Sequence, residues 1–224
     1  MRALTKLSLL ALALVAGSAS ASITPIYTTF GTLPGATFGG TGIPNTPAAV
    51  TYYTDSSGAQ LTMGLIATAR HATNPAPTND GAGTYFAVNG IDAGTANDGR
   101  WNFDFFMGGS NVDNFVYQLV YTINGTQLQV NPIAYFSDTT EVANSYQNSE
   151  NLAFLPTAGL FSAAGGGQYG FDLQAYTNVG GTLTKVADAA IVVDVAGVPE
   201  PGSVALVGIA LLAAVGATRR RFRG

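Results

Sequence analysis

Apolar and polar side chains alternate through residues 115–136, as they do in a half-buried pair of β-strands. The dipeptide Asn124-Gly125 interrupts this alternation and favours the two-residue type I′ turn of a β-hairpin. A turn at this position sets Tyr121 opposite Leu128 and collects most apolar side chains on one face. The pattern therefore predicts an antiparallel hairpin with one buried side, made of residues 115–123 and 126–136.

Further runs of alternating or β-branched and aromatic residues predict the remaining strands. A second hairpin is expected between residues 169–177 and 182–186, and the more apolar run 189–195 is expected to form a last, more buried strand. Four earlier strands are predicted at residues 48–54, 60–69, 85–88 and 101–107. About eight strands with frequent turn signals predict an all-β domain over residues 22–198, folded as an antiparallel, jelly-roll-like β-sandwich.

An apolar run near the start of the sequence is typical of a secretory signal peptide. Arg2 and Lys6 precede the run at residues 7–17, and Ala19 and Ala21 supply small residues at the −3 and −1 positions of a cleavage site. We therefore expect residues 1–21 to direct the chain to the secretion translocon and to be removed after Ala21. The alternative is a short membrane helix that stays in place, although a span needs ~20 residues.

A second uncharged run, at residues 202–218, predicts a single membrane-spanning helix. At about 1.5 Å per residue, its length comes close to the thickness of the bilayer core. A basic cluster resists translocation, so the arginines that follow are expected to stay cytoplasmic and the preceding domain to face outward. A buried core helix is the alternative, but such helices are rarely apolar on every face. The arginines are Arg219, Arg220, Arg221 and Arg223.

The segment before this run contains Pro199, Glu200 and Pro201. Proline fixes φ and lacks a backbone donor, so the tripeptide is expected to be extended and exposed. Together with the apolar run and the arginines, it resembles the PEP-CTERM protein-sorting signal over residues 199–224. The resemblance implies recognition and cleavage near the tripeptide by exosortase, an integral membrane enzyme. A plain linker between domain and helix is the alternative.

The resemblance also implies a biological setting. It implies an exported protein of a Gram-negative bacterium that makes exopolysaccharide, with a role in biofilm or another surface matrix. The chain would pass through an inner-membrane intermediate, transient or retained, before it reaches the cell surface or extracellular matrix. Exopolysaccharide is then the candidate ligand of the β domain.

Charge argues against a nucleic-acid partner. Between residues 22 and 198 the chain has twelve acidic residues but only three basic ones, Arg70, Arg100 and Lys185. Binding to phosphates requires clustered basic side chains, which this domain lacks. The sequence also contains no cysteine, so it offers neither a disulfide framework nor a thiolate metal site.

Candidate chemistry is sparse, and we expect no enzyme activity, no cofactor and no metal. His71 is the only histidine, so a hydrolase that uses histidine as its base has little to be built from, and His71 is expected to be an exposed loop residue. A Gly- and Asn-rich stretch could supply oxygen ligands for a structural calcium ion, although turn-forming residues explain the same pattern. The candidate ligands are Asp80, Asp92, Asn97, Asp98 and Asp104.

Three functions for the β domain stay open at this stage. The first is a non-catalytic binding or structural protein whose aromatic faces stack on sugars, although core packing explains most of the same side chains. These aromatic residues are Trp101, Tyr117, Tyr121, Tyr135 and Tyr176. The second is a polysaccharide hydrolase or lyase that uses Asp104 and Asp172 as paired carboxylates. The third is a self-assembling surface-layer subunit.

Overall fold

The computed structural model describes residues 22–136, 140–141 and 144–196, which form two six-stranded β-sheets. Sheet I contains, in spatial order, β1 (Thr29–Gly31), β2 (Ala48–Thr54), β3 (Gln60–Ala69), β6 (Trp101–Gly109), β10 (Ser145–Glu150) and β9 (Thr140–Glu141). Sheet II contains β4 (Thr78–Asn79), β5 (Thr84–Val88), β12 (Thr182–Ala196), β11 (Gly167–Val179), β7 (Val116–Ile123) and β8 (Thr126–Val130). A short helix α1 (Pro132–Tyr135) and the 3₁₀ turns Val112–Asn114 and Leu152–Phe154 complete the described elements. The prediction of an all-β domain is confirmed.

The β7–β8 hairpin has the predicted turn and register. Asn124 and Gly125 have φ values of 49° and 84°, as a type I′ turn requires, and Tyr121 pairs with Leu128. The prediction that the second strand continues to residue 136 is wrong, because β8 ends at Val130. Asn131 then caps α1 through a hydrogen bond from the backbone N–H of Ala134, and Pro132 cannot donate to a ladder.

The last two predicted strands are one continuous strand, β12. The turn that joins it to β11 contains only Gly180 and Gly181, both with positive φ, so the predicted loop at residues 178–181 was too long. Ala175 pairs with Ala187 and Tyr176 with Lys185, which leaves one extra residue between them on β12. This β-bulge keeps the ladder continuous through a segment where the alternation of the sequence breaks.

One strand pair departs from the antiparallel prediction. β5 pairs with β12 in parallel, whereas the other strand pairs of the described residues are antiparallel. The hairpins β2–β3, β7–β8 and β11–β12 each lie within one sheet. In a jelly roll, consecutive strands cross between the two sheets instead. The fold therefore resembles a jelly roll only in having two facing sheets. Short or polar strands account for what the pattern missed: β1, β4, β9 and β10.

The core lies between the sheets and is rich in aromatic rings. Phe103 of β6 stacks on Phe171 of β11 with 4.5 Å between ring centroids, and Trp101 packs against Tyr169 at 5.5 Å. Burying a large apolar side chain stabilises a fold by roughly 1.5–3 kcal/mol. Since successive strand residues point to opposite faces, each residue next to these aromatic rings lies on an outer face of the sandwich.

The outer face of sheet I is covered by residues 33–47, which we call the cover segment. Leu33 and Phe38 are buried, and Leu33 fills the space that a Cβ atom on Gly64 of β3 would occupy. The Oε1 atom of Gln147 on β10 accepts hydrogen bonds from the backbone N–H groups of Thr37 (2.8 Å) and Phe38 (2.7 Å). Sheet I is therefore buried on both sides where this segment lies.

The predicted signal peptide, membrane helix and arginine cluster lie outside the described residues. Within residues 22–136, 140–141 and 144–196, no helix combines the length and apolar character needed to cross a bilayer.

Candidate functional site

A polar cluster stands where β3 ends and the loop between β5 and β6 folds back. The carboxylate of Asp92 is 1% exposed, and its Oδ1 atom accepts a hydrogen bond from Asn74 Nδ2 at 2.6 Å. His71 Nδ1 lies 2.9 Å from the same carboxylate, and Arg70 Nε lies 3.5 Å from it. Arg70 also donates from Nη2 to Asp98 at 2.7 Å. Hydrogen bonds and ion pairs to Asp92 and Asp98 thus connect the loop after β3 with the loop between β5 and β6.

Electrostatics in this cluster favour an ionised carboxylate. The amide of Asn74 makes the largest contribution in holding the pKa of Asp92 below its ordinary value. Burial acts in the opposite direction, and the hydrogen bond and charge of His71 and the charge of Arg70 add to the lowering. The side chain of His71 is 58% exposed, which confirms its prediction as an exposed loop residue while adding a buried partner.

The predicted calcium ligands do not converge. Asp92 and Asp98 face the Arg70 guanidinium, which takes the place that a cation would need. Asp80 Oδ1 instead accepts from the backbone N–H groups of Ala82 and Thr84 in a local turn. Asp104 lies in the middle of β6, and among the described residues no group of three or more acidic or histidine side chains could hold a metal ion.

A groove of about 550 Å³ adjoins the Asp92 cluster. It lies between the end of the cover segment, the end of β3 and the loop that follows. The Thr68 hydroxyl on its wall is buried and has no hydrogen-bond partner among the described residues. The volume falls within the range of small-molecule sites, roughly 300–1,000 Å³. Tyr85, the aromatic residue on its wall, is only 1% exposed and offers no open ring face.

Asp104 and Asp172 do not form a catalytic pair. They follow Phe103 and Phe171, whose rings stack between the sheets, so the two carboxylates point to opposite outer faces. Sheets in a sandwich lie ~10 Å apart, and the carboxylates stand beyond that spacing, outside the separations of roughly 5–9.5 Å that glycosidases use. The structure therefore removes the sequence-based reason for treating them as acid and nucleophile.

Asp104 is completely buried beneath the cover segment. Burial raises its pKa to about 7, and nearby hydroxyls of Ser149 and Thr68 oppose only part of the rise. Neither carboxylate oxygen has a partner with hydrogen-bond geometry among the described residues. A protonated carboxyl group suits this site better than a carboxylate.

Asp172 lies on the outer face of sheet II, within a row of polar side chains. Its Oδ2 accepts a hydrogen bond from Gln174 Nε2 at 2.5 Å. Gln174 Oε1 in turn accepts from the hydroxyl of Tyr176, which also lies 3.3 Å from Gln118 Oε1 on the neighbouring strand β7. Burial raises the pKa of Asp172, and the Gln174 hydrogen bond counteracts it.

Only two of the five aromatic candidates for sugar stacking reach the surface. Trp101, Tyr117 and Tyr121 are at most 3% exposed and belong to the core. Tyr135 is 44% exposed at the end of α1, and Tyr176 is partly exposed on sheet II. The predicted hairpin register already placed Tyr121 on the apolar face, whereas the sequence did not show that Tyr135 and Tyr176 would reach the surface.

A hollow of about 300 Å³ adjoins Tyr176. Residues of three strands and of the cap of α1 line it: Val116, Tyr117, Gln118, Asn131, Tyr176 and Leu183. The sequence named Tyr176 as an aromatic candidate but gave no indication that Gln118 and Asn131 lie beside it. That connection depends on β11 pairing with β7, which the alternation of either strand alone does not reveal.

The residues predicted for sorting and processing lie outside the described part of the chain. They are Ala19, Ala21, Pro199, Glu200, Pro201 and the four terminal arginines. Comparison with protein-family models gives one finding here: residues 197–221 match the PEP-CTERM protein-sorting motif. Nothing among the curated proteins or the solved structures matches this chain.

Proposed function

We propose that this chain, which carries a PEP-CTERM protein-sorting motif at residues 197–221, is an exported protein that exosortase processes and that is then held at the cell surface or in the extracellular matrix. The motif match carries the proposal. It begins at the residue after Ala196, the last residue of β12, so the sorting segment continues directly from the folded domain.

Both ends of the described domain fit this route. Ile26 forms an antiparallel bridge with Ala190 of β12, so the chain before Ile26 and the chain after Ala190 run toward the same end of the sandwich. Cleavage after Ala21 would make Ser22 the mature N-terminus at that end. The membrane helix at residues 202–218 would hold the inner-membrane intermediate, with Arg219 to Arg223 in the cytoplasm.

The β domain acts by binding or as a structural component, not by catalysis. One observation supports this part of the proposal: Asp104 and Asp172, the carboxylates that could have formed a catalytic pair, face away from each other. Exopolysaccharide of a biofilm or similar matrix is the ligand class we propose.

The sorting step can be tested with Glu200→Ala in the host of the protein. We expect the variant to accumulate in the inner membrane at the size of the unprocessed chain, because the central residue of the recognition tripeptide is lost. Cell fractions would be compared by intact mass and by immunoblotting with antibodies against the β domain.

Val198→Ala is the matched control, since it changes a neighbouring side chain and leaves the tripeptide intact. It should be processed as the wild type is. Wild-type processing of the Glu200→Ala chain would contradict the proposal and favour a plain linker.

A further inference from the structure

The hollow on the outer face of sheet II has the chemistry of a sugar-binding site. We propose that it binds a neutral, hydroxyl-rich glycan, with Tyr176 as the stacking platform. This inference rests on the proposed function in so far as the protein must be outside the cell to meet a polysaccharide. Three features of the face support glycan binding: the position of the Tyr176 ring, the amides around it and the charge of the sheet.

Tyr176 is held flat by its own hydroxyl group. The hydroxyl reaches Oε1 of Gln174, two residues back on β11, and lies 3.3 Å from Oε1 of Gln118, the cross-strand partner of Gln174. A ring whose tip is tied two residues along the sheet lies along the surface instead of standing away from it. Val116 and Leu183, the latter 51% exposed, continue the apolar floor on either side. A flat apolar floor of this kind suits the C–H face of a sugar ring.

The amides provide donors and acceptors without charge. A tyrosine hydroxyl has one proton, so it can donate to Gln174 or to Gln118 but not to both, and one amide oxygen stays available for a ligand hydroxyl. Asn131 uses its Oδ1 atom to cap α1, at 3.1 Å from the N–H of Ala134, which leaves its NH₂ group as a donor. Asp172 acts as a positioning residue, because its carboxylate fixes the Gln174 amide that orients the ring.

Charge selects against acidic polymers. The outer face of sheet II carries the carboxylates of Asp172, Asp188 and Asp194, and Lys185 donates to Asp188 at 2.5 Å. At the hollow, uronic acids or phosphates would approach Asp172 and Asp188, and the nearby ammonium of Lys185 is already paired with Asp188, so like-charge repulsion costs binding energy. Asp194 lies opposite Gln168, farther along the same face. A neutral glycan avoids this cost and uses the amide hydrogen bonds.

The test measures glycan binding by the purified full-length chain in detergent. Affinity electrophoresis and calorimetry would use dextran and neutral β-1,4-linked glucan oligosaccharides as probes, with polygalacturonate as the acidic comparison. We expect measurable binding to a neutral probe and none to polygalacturonate. Tyr176→Ala should weaken binding by about tenfold, which corresponds to ~1.4 kcal/mol, because the stacking ring is lost. Tyr176→Phe should weaken it less, since the ring stays but its anchor is lost.

Tyr52→Ala is the matched control. Tyr52 is 47% exposed on β2 of sheet I, far from the hollow, and its removal should leave binding unchanged. Wild-type protein that binds neither neutral probe at millimolar concentration would overturn the proposal, as would equal binding by Tyr176→Ala or tighter binding to polygalacturonate. Circular dichroism verifies that each variant is folded. Sorting is measured separately by the Glu200→Ala experiment, so failure of one proposal is distinguishable from failure of the other.

Discussion

The two outer faces of the sandwich begin from the same local pattern and end in opposite states. On β6 and on β11 a stacked phenylalanine is followed by an aspartate, Phe103-Asp104 and Phe171-Asp172. The cover segment buries Asp104 without a hydrogen-bond partner among the described residues. Asp172 is only partly buried, and its Oδ2 atom binds a glutamine of a polar row, while its Oδ1 atom is buried without a hydrogen-bond partner among the described residues.

This difference shows that the alternation of a strand predicts on which face of the sheet a side chain lies, but does not predict whether another segment covers that face. A covered face becomes a second small core, and a carboxyl group inside it resists ionisation. The less covered face leaves its carboxyl group with a hydrogen-bond donor, the Gln174 amide, and keeps neighbouring polar side chains partly exposed.

Among the variants that test this contrast, the greatest loss of stability is predicted at Phe103 of sheet I, whose ring stacks on Phe171 of sheet II. Phe103→Ala should lower the free energy of unfolding by about 3–5 kcal/mol, because it opens a cavity against Phe171 at the centre of the core. Phe86→Ala is the control, since Phe86 is 46% exposed and its truncation should cost far less. Chemical denaturation would measure both. Equal losses would contradict the position of the core between the sheets.

Asp104→Asn should stabilise the protein above neutral pH by up to about 4 kcal/mol. The pKa of Asp104 rises from 3.8 to about 7 on folding, and each pKa unit corresponds to about 1.4 kcal/mol. The folded state binds the Asp104 proton more tightly than the unfolded state does. The contribution of Asp104 to the free energy of unfolding is therefore most favourable below pH ~4. It falls as the pH rises toward 7 and stays constant above that pH.

Denaturation between pH 4 and 8 would show this as a slope that Asp104→Asn removes. Asp172→Asn should change the slope in the same direction but less, because Gln174 opposes the rise of the Asp172 pKa. An Asp104→Asn variant with the wild-type pH profile would show that the carboxyl group is not buried as described.

Gly64→Ala should destabilise the covered face by about 1–3 kcal/mol, since the new methyl group would displace Leu33 of the cover segment. Gly31→Ala is the matched control on β1 of the same sheet: nothing lies within 4 Å of its Cβ position. Hydrogen exchange should rise at residues 33–47 in the first variant and stay unchanged in the second. Equal protection in both would argue against close packing of the segment.

The smallest effect is expected at a carboxylate that behaves in the opposite way to Asp104. Asp92 has a lowered pKa, so its contribution to stability is present above its unfolded pKa and is lost as the pH falls through its folded pKa. Asn74→Ala should make acid unfolding less steep, because the largest cause of the lowering is removed. Acid titration followed by tryptophan fluorescence would measure this, and an unchanged acid limb would contradict the role of Asn74.

Local pattern was enough to predict the elements with strong periodicity. β2 and β3 have the predicted bounds, and the β7–β8 register follows from Asn124-Gly125. The polar strand β10 escaped prediction, because residues such as Gln147 are buried there by contacts with Phe38, more than a hundred positions away in the sequence. The parallel pairing of β5 with β12 is equally invisible to local alternation.

Candidate sites were predictable as residue types but not as neighbours. Tyr176 was a stacking candidate by its chemistry, whereas its partners Gln118 and Gln174 come together only through the β7–β11 pairing. The sorting motif was readable from the sequence because its three parts are adjacent in the chain, and the family-model match at residues 197–221 agrees with that reading.

Exosortase processing is tested by the intact mass, with N- and C-terminal sequencing, of the protein recovered from the surface and medium of its own host. We predict a mature chain that begins at Ser22 and ends near Pro199 to Pro201. A chain that keeps residues 202–224 would contradict exosortase processing and would make this a single-span membrane protein.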